Sequence, residues 1–186
     1  QLVSEANRYG RGLQELGLRP GDSVVMMLHN SADLVAFYFA AYQTGLYIVA
    51  VNWHLTGPEV AYILKDSDAK AFVASSRFSA AARQAADESG VANRYSVGEI
   101  DGFTPLRDLG TSDERPEIRT AGGPMLYTSG TTGKPKGVRR PLTGADPDQV
   151  PLASSGFFSI FGIRPFDDHV HICHENAWCC YSWHAI

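Results

Sequence analysis

The segment from Tyr127 to Gly137 has residue types and a spacing suited to phosphate binding. Its eleven residues, YTSGTTGKPKG, include three glycines, four aliphatic hydroxyls and two lysines, and they follow an apolar stretch. Glycine lets the backbone adopt positive φ angles and approach a ligand closely, so successive amide N–H groups can point at one anion. The hydroxyls can add donors, and the lysines add positive charge. The segment therefore predicts a loop that binds a polyphosphate.

The spacing differs from that of the nucleotide-triphosphatase loop, in which Gly, four residues, Gly and Lys precede a Ser or Thr. Thr128 stands where that pattern has its first glycine, and Pro135 follows Lys134 in place of the magnesium-binding hydroxyl. Proline also disfavours a helical conformation at the residue before it. We therefore expect a loop that does not run into a helix, and the missing hydroxyl argues against an ATP hydrolase.

The run YTSGTTGKPKGV resembles the signature loop of the adenylate-forming (AMP-binding) superfamily, which contains acyl-CoA synthetases, luciferases and peptide-synthetase adenylation domains. Residues 16–30 and 45–71 are similar to the family's early helix-turn-strand segment and to its adjoining strand, helix and strand. The resemblance covers most of residues 1–172. The alternative is a surface loop with incidental lysines. We disfavour it because an ordinary loop does not need this many placed glycines and hydroxyls.

This resemblance implies a fatty-acid–CoA ligase or a similar acid-thiol ligase, with ATP, Mg²⁺ and CoA as cofactors or co-substrates. Such an enzyme activates a carboxylic acid as an acyl-adenylate and then forms a thioester. By position in the motif, the expected phosphate-binding residues are Thr128, Ser129, Gly130, Thr131, Thr132, Gly133, Lys134, Lys136 and Gly137. Thr128 is also the expected Mg²⁺ ligand. Lys134 lies at a position where we expect variation and a solvated head group.

Residues after the loop bear on the substrate. We expect Arg139 and Arg140 to be exposed strand residues, with an extension of the positive field over the triphosphate as the alternative. The run KGVRRPLTG looks like lipid-metabolising members of the family. Residues 154–163, SSGFFSIFGI, could line an acyl tunnel or form a core helix. These features favour a fatty acid, while an aryl acid or an amino acid stays open.

Composition indicates a globular cytoplasmic enzyme. The chain has 186 residues, of which 44% are hydrophobic and 19% charged, so it is neither disordered nor fibrous. Its net charge of −4 argues against nucleic-acid binding. No run approaches the ~18 apolar residues of a membrane span, which leaves peripheral membrane contact open. Three cysteines are too few for a disulfide framework. The oligomeric state stays open.

Helical and strand patterns alternate along the chain, which predicts an α/β fold with parallel-rich sheets covered by helices. This would be the N-terminal part of an adenylate-forming large domain. We read residues 98–123 as a long connection. The expected strands are 23–28, 46–51, 70–74, 94–97 and 125–128. The expected helices are 2–16, one capped by Asn30 or Ser31 that runs to about 44, one opened by Thr56 and Glu59, and 78–88.

The end of the chain departs from the family pattern. Where the family has a proline-containing turn ending in a histidine, residues 174–186 read HENAWCCYSWHAI. We therefore expect residues 1–172 to be the N-terminal portion of the AMP-binding domain, and 173–186 to be a divergent tail, frameshifted or truncated. The C-terminal domain would be absent, no complete catalytic set would be present, and the fragment would be inactive alone. The uncapped helix at residue 1 suggests a start further upstream.

Two alternatives concern ligands and function. All three cysteines and four of the six histidines lie in the last 18 residues. A zinc site there is disfavoured because the spacing lacks a Cys-x-x-Cys pair. Its ligands would come from His171, Cys173, His174, Cys179, Cys180 and His184. The second alternative is a noncatalytic ATP- or phosphate-binding module, or a defective gene product.

Overall fold

The computed structural model describes residues 1–128 and 134–149. The chain divides into two compact units, Gln1–Gly144 and Ala145–Ile186. Within the second unit, residues 145–149 are described, and there the backbone N–H of Asp148 donates to the Asp146 carboxylate at 2.8 Å. All helices and strands given below belong to the first unit.

Six strands of the described chain form one parallel sheet in the order β5-β4-β3-β1-β2-β6. In the centre, Val24 of β1 lies beside Ile48 of β2 on one side and Ala71 of β3 on the other. All five residues of β1 are buried. The strands are β1 Ser23–Met27, β2 Tyr47–Ala50, β3 Ala69–Ser75, β4 Asn93–Val97, β5 Thr104–Pro105 and β6 Gly123–Pro124.

Four helices cover both faces of this sheet. They are α1 Leu2–Glu15, α2 Ala32–Gln43, α3 Gly57–Asp66 and α4 Ser79–Ser89. Val24 and Met26 of β1 join the core formed with α1 and α2, whereas Val25 and Met27 join the core formed with α3 and α4. This alternation follows from the two-residue period of a strand. A parallel sheet buried on both faces was the predicted architecture, and the structure confirms it.

Local sequence sets where the helices begin. Ser31 is the N-cap of α2, and its hydroxyl accepts from the backbone N–H of Leu34 at 3.3 Å. At the start of α3, Glu59 accepts from the backbone N–H and the hydroxyl of Thr56, at 2.8 and 2.7 Å. These hydrogen bonds lower the pKa of the Glu59 carboxyl. Both caps lie at the predicted positions, with Ser31 rather than Asn30 capping α2.

The predicted long connection, residues 98–123, is fastened along α1. The Gln14 amide donates to the Ile118 carbonyl at 2.7 Å, and the Arg8 guanidinium donates to the Arg107 carbonyl. A Cβ on Gly12 of α1 would lie 2.6 Å from the Gly110 backbone nitrogen. The connection also contains β5, a 3₁₀ turn and β6. Two-residue strands have no hydrophobic alternation, so the sequence pattern did not predict them.

The last two described strands, β7 (Leu126–Thr128) and β8 (Lys136–Val138), form an antiparallel ribbon. Met125, just before β7, is buried in the α3/α4 core, but Leu126 is 52% exposed and Thr128 is also exposed. The strand occurs where it was predicted, and its residues alternate between exposed and partly buried. A two-stranded ribbon presents one face to the core, so its alternate residues point away from it.

Candidate phosphate-binding ribbon

The ribbon places the two ends of the predicted phosphate loop side by side. Thr128 of β7 pairs with Lys136 of β8, and Tyr127 pairs with Gly137. The chain leaves the loop into a strand rather than a helix, as Pro135 predicted. Ser129, Gly130, Thr131, Thr132 and Gly133 lie outside the described residues, so their phosphate contacts stay predictions.

Helix α3 contacts the chain on both sides of the loop. The Tyr127 hydroxyl donates to the Asp66 carboxylate at 2.7 Å, on the β7 side. The Tyr62 hydroxyl donates to the Pro135 carbonyl at 3.0 Å, on the β8 side. Residues four apart lie on the same face of a helix, which is why Tyr62 and Asp66 reach the same ribbon. The loop is thus supported at its entry and its exit.

The two lysines of the motif have different surroundings. The Lys134 ammonium lies 5.7 Å from the centroid of the Tyr62 ring, within the range of a cation–π contact. Lys134 is exposed, which fits the expected solvated head group, and α3 places an aromatic ring near it. Lys136 is exposed on β8, opposite Thr128. Lys136 thus lies at the loop end of the ribbon, beside Thr128.

Gly137 has a steric reason to be glycine. A Cβ at this position would lie 2.2 Å from the Met125 methyl and 3.0 Å from Cζ of Tyr127. The Tyr127 ring crosses over its partner on β8 on its way to Asp66. Packing thus accounts for Gly137, and its predicted contact with phosphate stays a prediction.

The arginines after β8 act at the far end of the ribbon. The Arg139 guanidinium donates to the Ser67 carbonyl at 2.6 Å and to the Ser23 hydroxyl at 3.0 Å. It also lies 5.2 Å from the Tyr47 ring centroid. The Tyr47 hydroxyl donates to the Arg140 carbonyl at 2.7 Å. Arg139 and Arg140 are exposed, as expected, but they follow β8 rather than lying in it, and the Arg139 side chain ties the ribbon to the large sheet.

Burial raises the pKa of the Tyr127 phenol well above its ordinary value of 10.0, and the hydrogen bond to Asp66 raises it further. The pKa of Tyr62 is raised in the same way, first by desolvation and then by the Asp66 charge. Both phenols therefore stay neutral and keep their hydrogens at physiological pH. They act as stable hydrogen-bond donors to the carboxylate and the carbonyl that accept from them.

Thr128 offers one neutral hydroxyl to a metal ion. Mg²⁺ in nucleotide enzymes is usually held by one or two carboxylates together with phosphate oxygens and water. Thr128 fits as one ligand of such an ion when bound phosphate supplies others. Within residues 1–128 and 134–149, no three His, Cys, Asp or Glu side chains come together as a metal site. The cysteine-histidine cluster considered for zinc lies outside this part of the chain.

One cavity, of about 580 Å³, lies at the amino ends of the strands. Its wall includes Leu16, Asp22, Lys65, Asp68 and Lys70, and no residue of β7 or β8 contributes to it. Asp68 and Lys70 pair with each other at 2.8 Å. Because these charges neutralise each other, the cavity has no excess positive charge for an anion, and the ribbon is the better candidate for phosphate.

Comparison with known proteins shows which family the chain belongs to. The profile described as AMP-binding enzyme matches residues 1–183. The chain belongs to the AMP-binding enzyme family. Within residues 1–128 and 134–149, no helix is long and apolar enough to cross a membrane. The profile match extends past residue 173, and the predicted boundary between 172 and 173 stays a prediction.

Curated relatives of this AMP-binding chain act on different acids. A fatty acid–[acyl-carrier-protein] ligase, ScoC of Streptomyces coeruleorubidus, is 37% identical over 143 residues, which are 74% of this chain and 27% of that protein. A crotonobetaine/carnitine–CoA ligase of Salmonella typhimurium is 30% identical over 183 residues, or 92% of this chain and 34% of that protein. The chain thus spans roughly a quarter to a third of these relatives.

Solved structures of adenylate-forming enzymes share the fold. The anthranilate CoA ligase AuaEII, solved in complex with anthranoyl-AMP, superposes with a TM-score of 0.67 at 26% identity. The match covers 86% of this chain and 31% of that one. The predicted fold class, an incomplete α/β domain of this superfamily, is confirmed.

Three residues that hold the ribbon in place were not identified from the sequence. Tyr62 and Asp66 occur on the polar side of α3, where a spacing of four residues marks them as neighbours but not as partners of the ribbon. Arg139 was considered as a surface charge. The sequence does contain two tyrosines, Tyr62 and Tyr127, and an aspartate, Asp66, that could serve a loop rich in backbone donors. Their partners became apparent with the tertiary structure.

Proposed function

We propose that this chain is the polyphosphate-binding, amino-terminal part of an ATP-dependent acid-thiol ligase. The observation that carries the proposal is the pair of hydrogen bonds that join the ribbon to α3. Tyr127 donates to Asp66 near the start of the YTSGTTGKPKG motif, and Pro135 accepts from Tyr62 near its end. Membership of the AMP-binding family supports it. Because the chain spans about a third or less of its relatives, catalysis is assigned to the longer enzyme.

The chemistry begins with attack of a carboxylate oxygen on the α-phosphorus of ATP. The bond to the β-phosphate oxygen breaks, pyrophosphate leaves, and an acyl-adenylate forms. A thiol then attacks the acyl carbon, loses its proton, and displaces AMP to give a thioester. Adenylation is needed because an unmodified carboxylate has a poor leaving group.

The loop residues of this chain would hold the β- and γ-phosphates during the first step. Backbone amides of residues 129–133, the hydroxyls beside them and the Lys136 ammonium would neutralise and orient the departing pyrophosphate. Mg²⁺, with Thr128 as one ligand, would supply further charge neutralisation to the phosphates. The contribution of this chain is therefore positioning and electrostatics, while other parts of the enzyme bind the adenine, ribose and acid.

For the acid, a fatty acid is favoured by the segment KGVRRPLTG and by the relative named for a fatty acid. The solved ligase with anthranoyl-AMP keeps an aryl acid as the second candidate. The accepting thiol is that of CoA, or of an acyl-carrier protein as the name of ScoC indicates for that enzyme. A reducing compartment, the cytoplasm, fits a chain with three cysteines.

Calorimetric titration of the full 186-residue chain with inorganic pyrophosphate and with MgATP tests the proposal. We expect binding that weakens about tenfold in Lys136→Met, since a direct charge-assisted phosphate contact is lost. Lys70→Met is the matched control, because Lys70 pairs with Asp68 away from the ribbon. Equal affinities in all three chains would contradict the assignment of Lys136.

The activity of the chain separates the ligase from its alternatives. We expect no acid-dependent exchange of pyrophosphate into ATP from these 186 residues alone. Such exchange would show that the chain carries a complete catalytic set. Release of free phosphate without any acid would instead support a hydrolase. Binding that is not followed by acid-dependent turnover in any longer form of the protein would support a noncatalytic module.

A further inference from the structure

Helix α3 carries two side chains that contact the chain just before and just after the phosphate loop. Asp66 accepts from Tyr127 at 2.7 Å, and Tyr62 donates to the Pro135 carbonyl at 3.0 Å. The Tyr62 hydroxyl also lies 3.5 Å from Asp66. A phenol has one hydrogen to donate, and the shorter contact with Pro135 is the stronger of the two.

A second tyrosine makes a matching pair of contacts at the opposite end of β8. The Tyr47 hydroxyl donates to the Arg140 carbonyl at 2.7 Å, and its ring lies 5.2 Å from the Arg139 guanidinium. Tyr62 likewise combines one bond to a ribbon carbonyl with a ring 5.7 Å from the Lys134 ammonium. The two tyrosines thus make the same kinds of contact, one beside the loop and one beyond the far end of the ribbon.

We propose that Tyr62 and Asp66 are positioning residues for polyphosphate binding. They hold Tyr127 and Pro135, which flank residues 128–134, so Thr128 and Lys136 are in position before the ligand arrives. Binding groups that are already in position lose less conformational freedom when the ligand binds, and this raises affinity. This inference rests on the proposed function of the loop.

These contacts should affect affinity more than stability. Both hydrogen bonds lie in exposed surroundings, where a bond between protein groups replaces one with water at little net gain. The folded cores on either side of the large sheet do not include the Asp66 side chain. Loss of one contact therefore leaves the fold in place and releases Tyr127 or Pro135 from α3.

The test compares two identical chemical changes in the full 186-residue chain, with pyrophosphate as the titrant. Tyr62→Phe and Tyr47→Phe each remove one hydroxyl and keep the ring. We expect the dissociation constant for pyrophosphate to rise about fivefold in Tyr62→Phe, which corresponds to the loss of one modest hydrogen bond. In Tyr47→Phe it should stay unchanged. Asp66→Ala should weaken binding by a similar factor. Asp66→Asn, which keeps an acceptor for Tyr127, should restore most of the affinity.

The outcomes separate this inference from the proposed function. Equal weakening in both tyrosine variants, or none in Tyr62→Phe, would overturn the positioning role. If the unmodified chain binds no pyrophosphate, the proposed function fails, and amide hydrogen exchange at Thr128 and Lys136 then decides the inference. Faster exchange in Tyr62→Phe than in Tyr47→Phe would support it, and equal exchange would overturn it.

Discussion

The six-stranded sheet and the β7–β8 ribbon are stabilised in different ways. In the sheet, the central strands are buried on both faces by apolar side chains from four helices. The ribbon has exposed Leu126 and Val138 in its first register pair, and polar contacts from Tyr62, Asp66 and Arg139 fasten it to the sheet and to α3. Buried apolar packing therefore holds the sheet, whereas a few polar contacts hold the ribbon against it.

The largest expected effect is on the stability of the six-stranded sheet. Phe72 of β3 is fully buried, and its ring meets Phe103 edge to face with centroids 6.0 Å apart. Phe72→Ala should cost about 3–5 kcal/mol of unfolding free energy, because it leaves a cavity between β3 and α4. Urea denaturation measures this loss. Phe72→Leu should cost less, and a cost of Phe72→Ala below that of Phe72→Leu would contradict the packing described.

A smaller effect is expected inside the ribbon. Gly137→Ala places a methyl against Met125 and Tyr127, which should destabilise the ribbon by about 1–3 kcal/mol through overpacking. Gly123→Ala is the matched control, because its methyl would meet a single flexible neighbour, Leu142 Cδ2, at 3.3 Å. Thermal unfolding compares the two variants. Equal stability would show that the Tyr127 ring does not cross Gly137.

The far-end attachment should contribute less again. Arg139→Lys keeps the charge but loses the guanidinium that reaches Ser67 and Ser23 together. We expect a loss of about 1 kcal/mol, reduced by the exposure of the residue. Chemical denaturation checks this value. Arg140→Lys provides the comparison, since the bond that Arg140 makes to Tyr47 uses its backbone carbonyl and should survive.

The smallest effect concerns alkaline pH. Tyr127 has a raised pKa in the fold, so it keeps its proton while the same residue in the unfolded chain loses it above its ordinary value of 10.0. Its contribution to stability is therefore complete below about pH 10 and declines as the pH rises towards its folded pKa. Tyr127→Phe should flatten this decline. If urea denaturation gives Tyr127→Phe the same pH profile as the unmodified chain between pH 9 and 11, the hydrogen bond from Tyr127 to Asp66 is contradicted.

The six-stranded sheet and its helices were more predictable from the sequence than the β7–β8 ribbon. Hydrophobic periodicity located α1, the cap residues Ser31 and Thr56 located α2 and α3, and alanine-rich composition located α4. Apolar runs located the central strands. The apolar residues of β7 did not reveal its exposure, because exposure depends on which other elements cover the strand. Likewise, the contact between Tyr62 and Pro135 joins residues 73 positions apart, which no local pattern encodes.

The central claim, that the ribbon rather than the sheet binds polyphosphate, is tested most directly by titrating the ¹⁵N-labelled 186-residue chain with pyrophosphate and following amide shifts by NMR. The account predicts the largest shifts from residues 128 to 137, with β1 and β3 little affected. Shifts centred on Lys65 and Lys70, at the cavity near the amino ends of the strands, would contradict it.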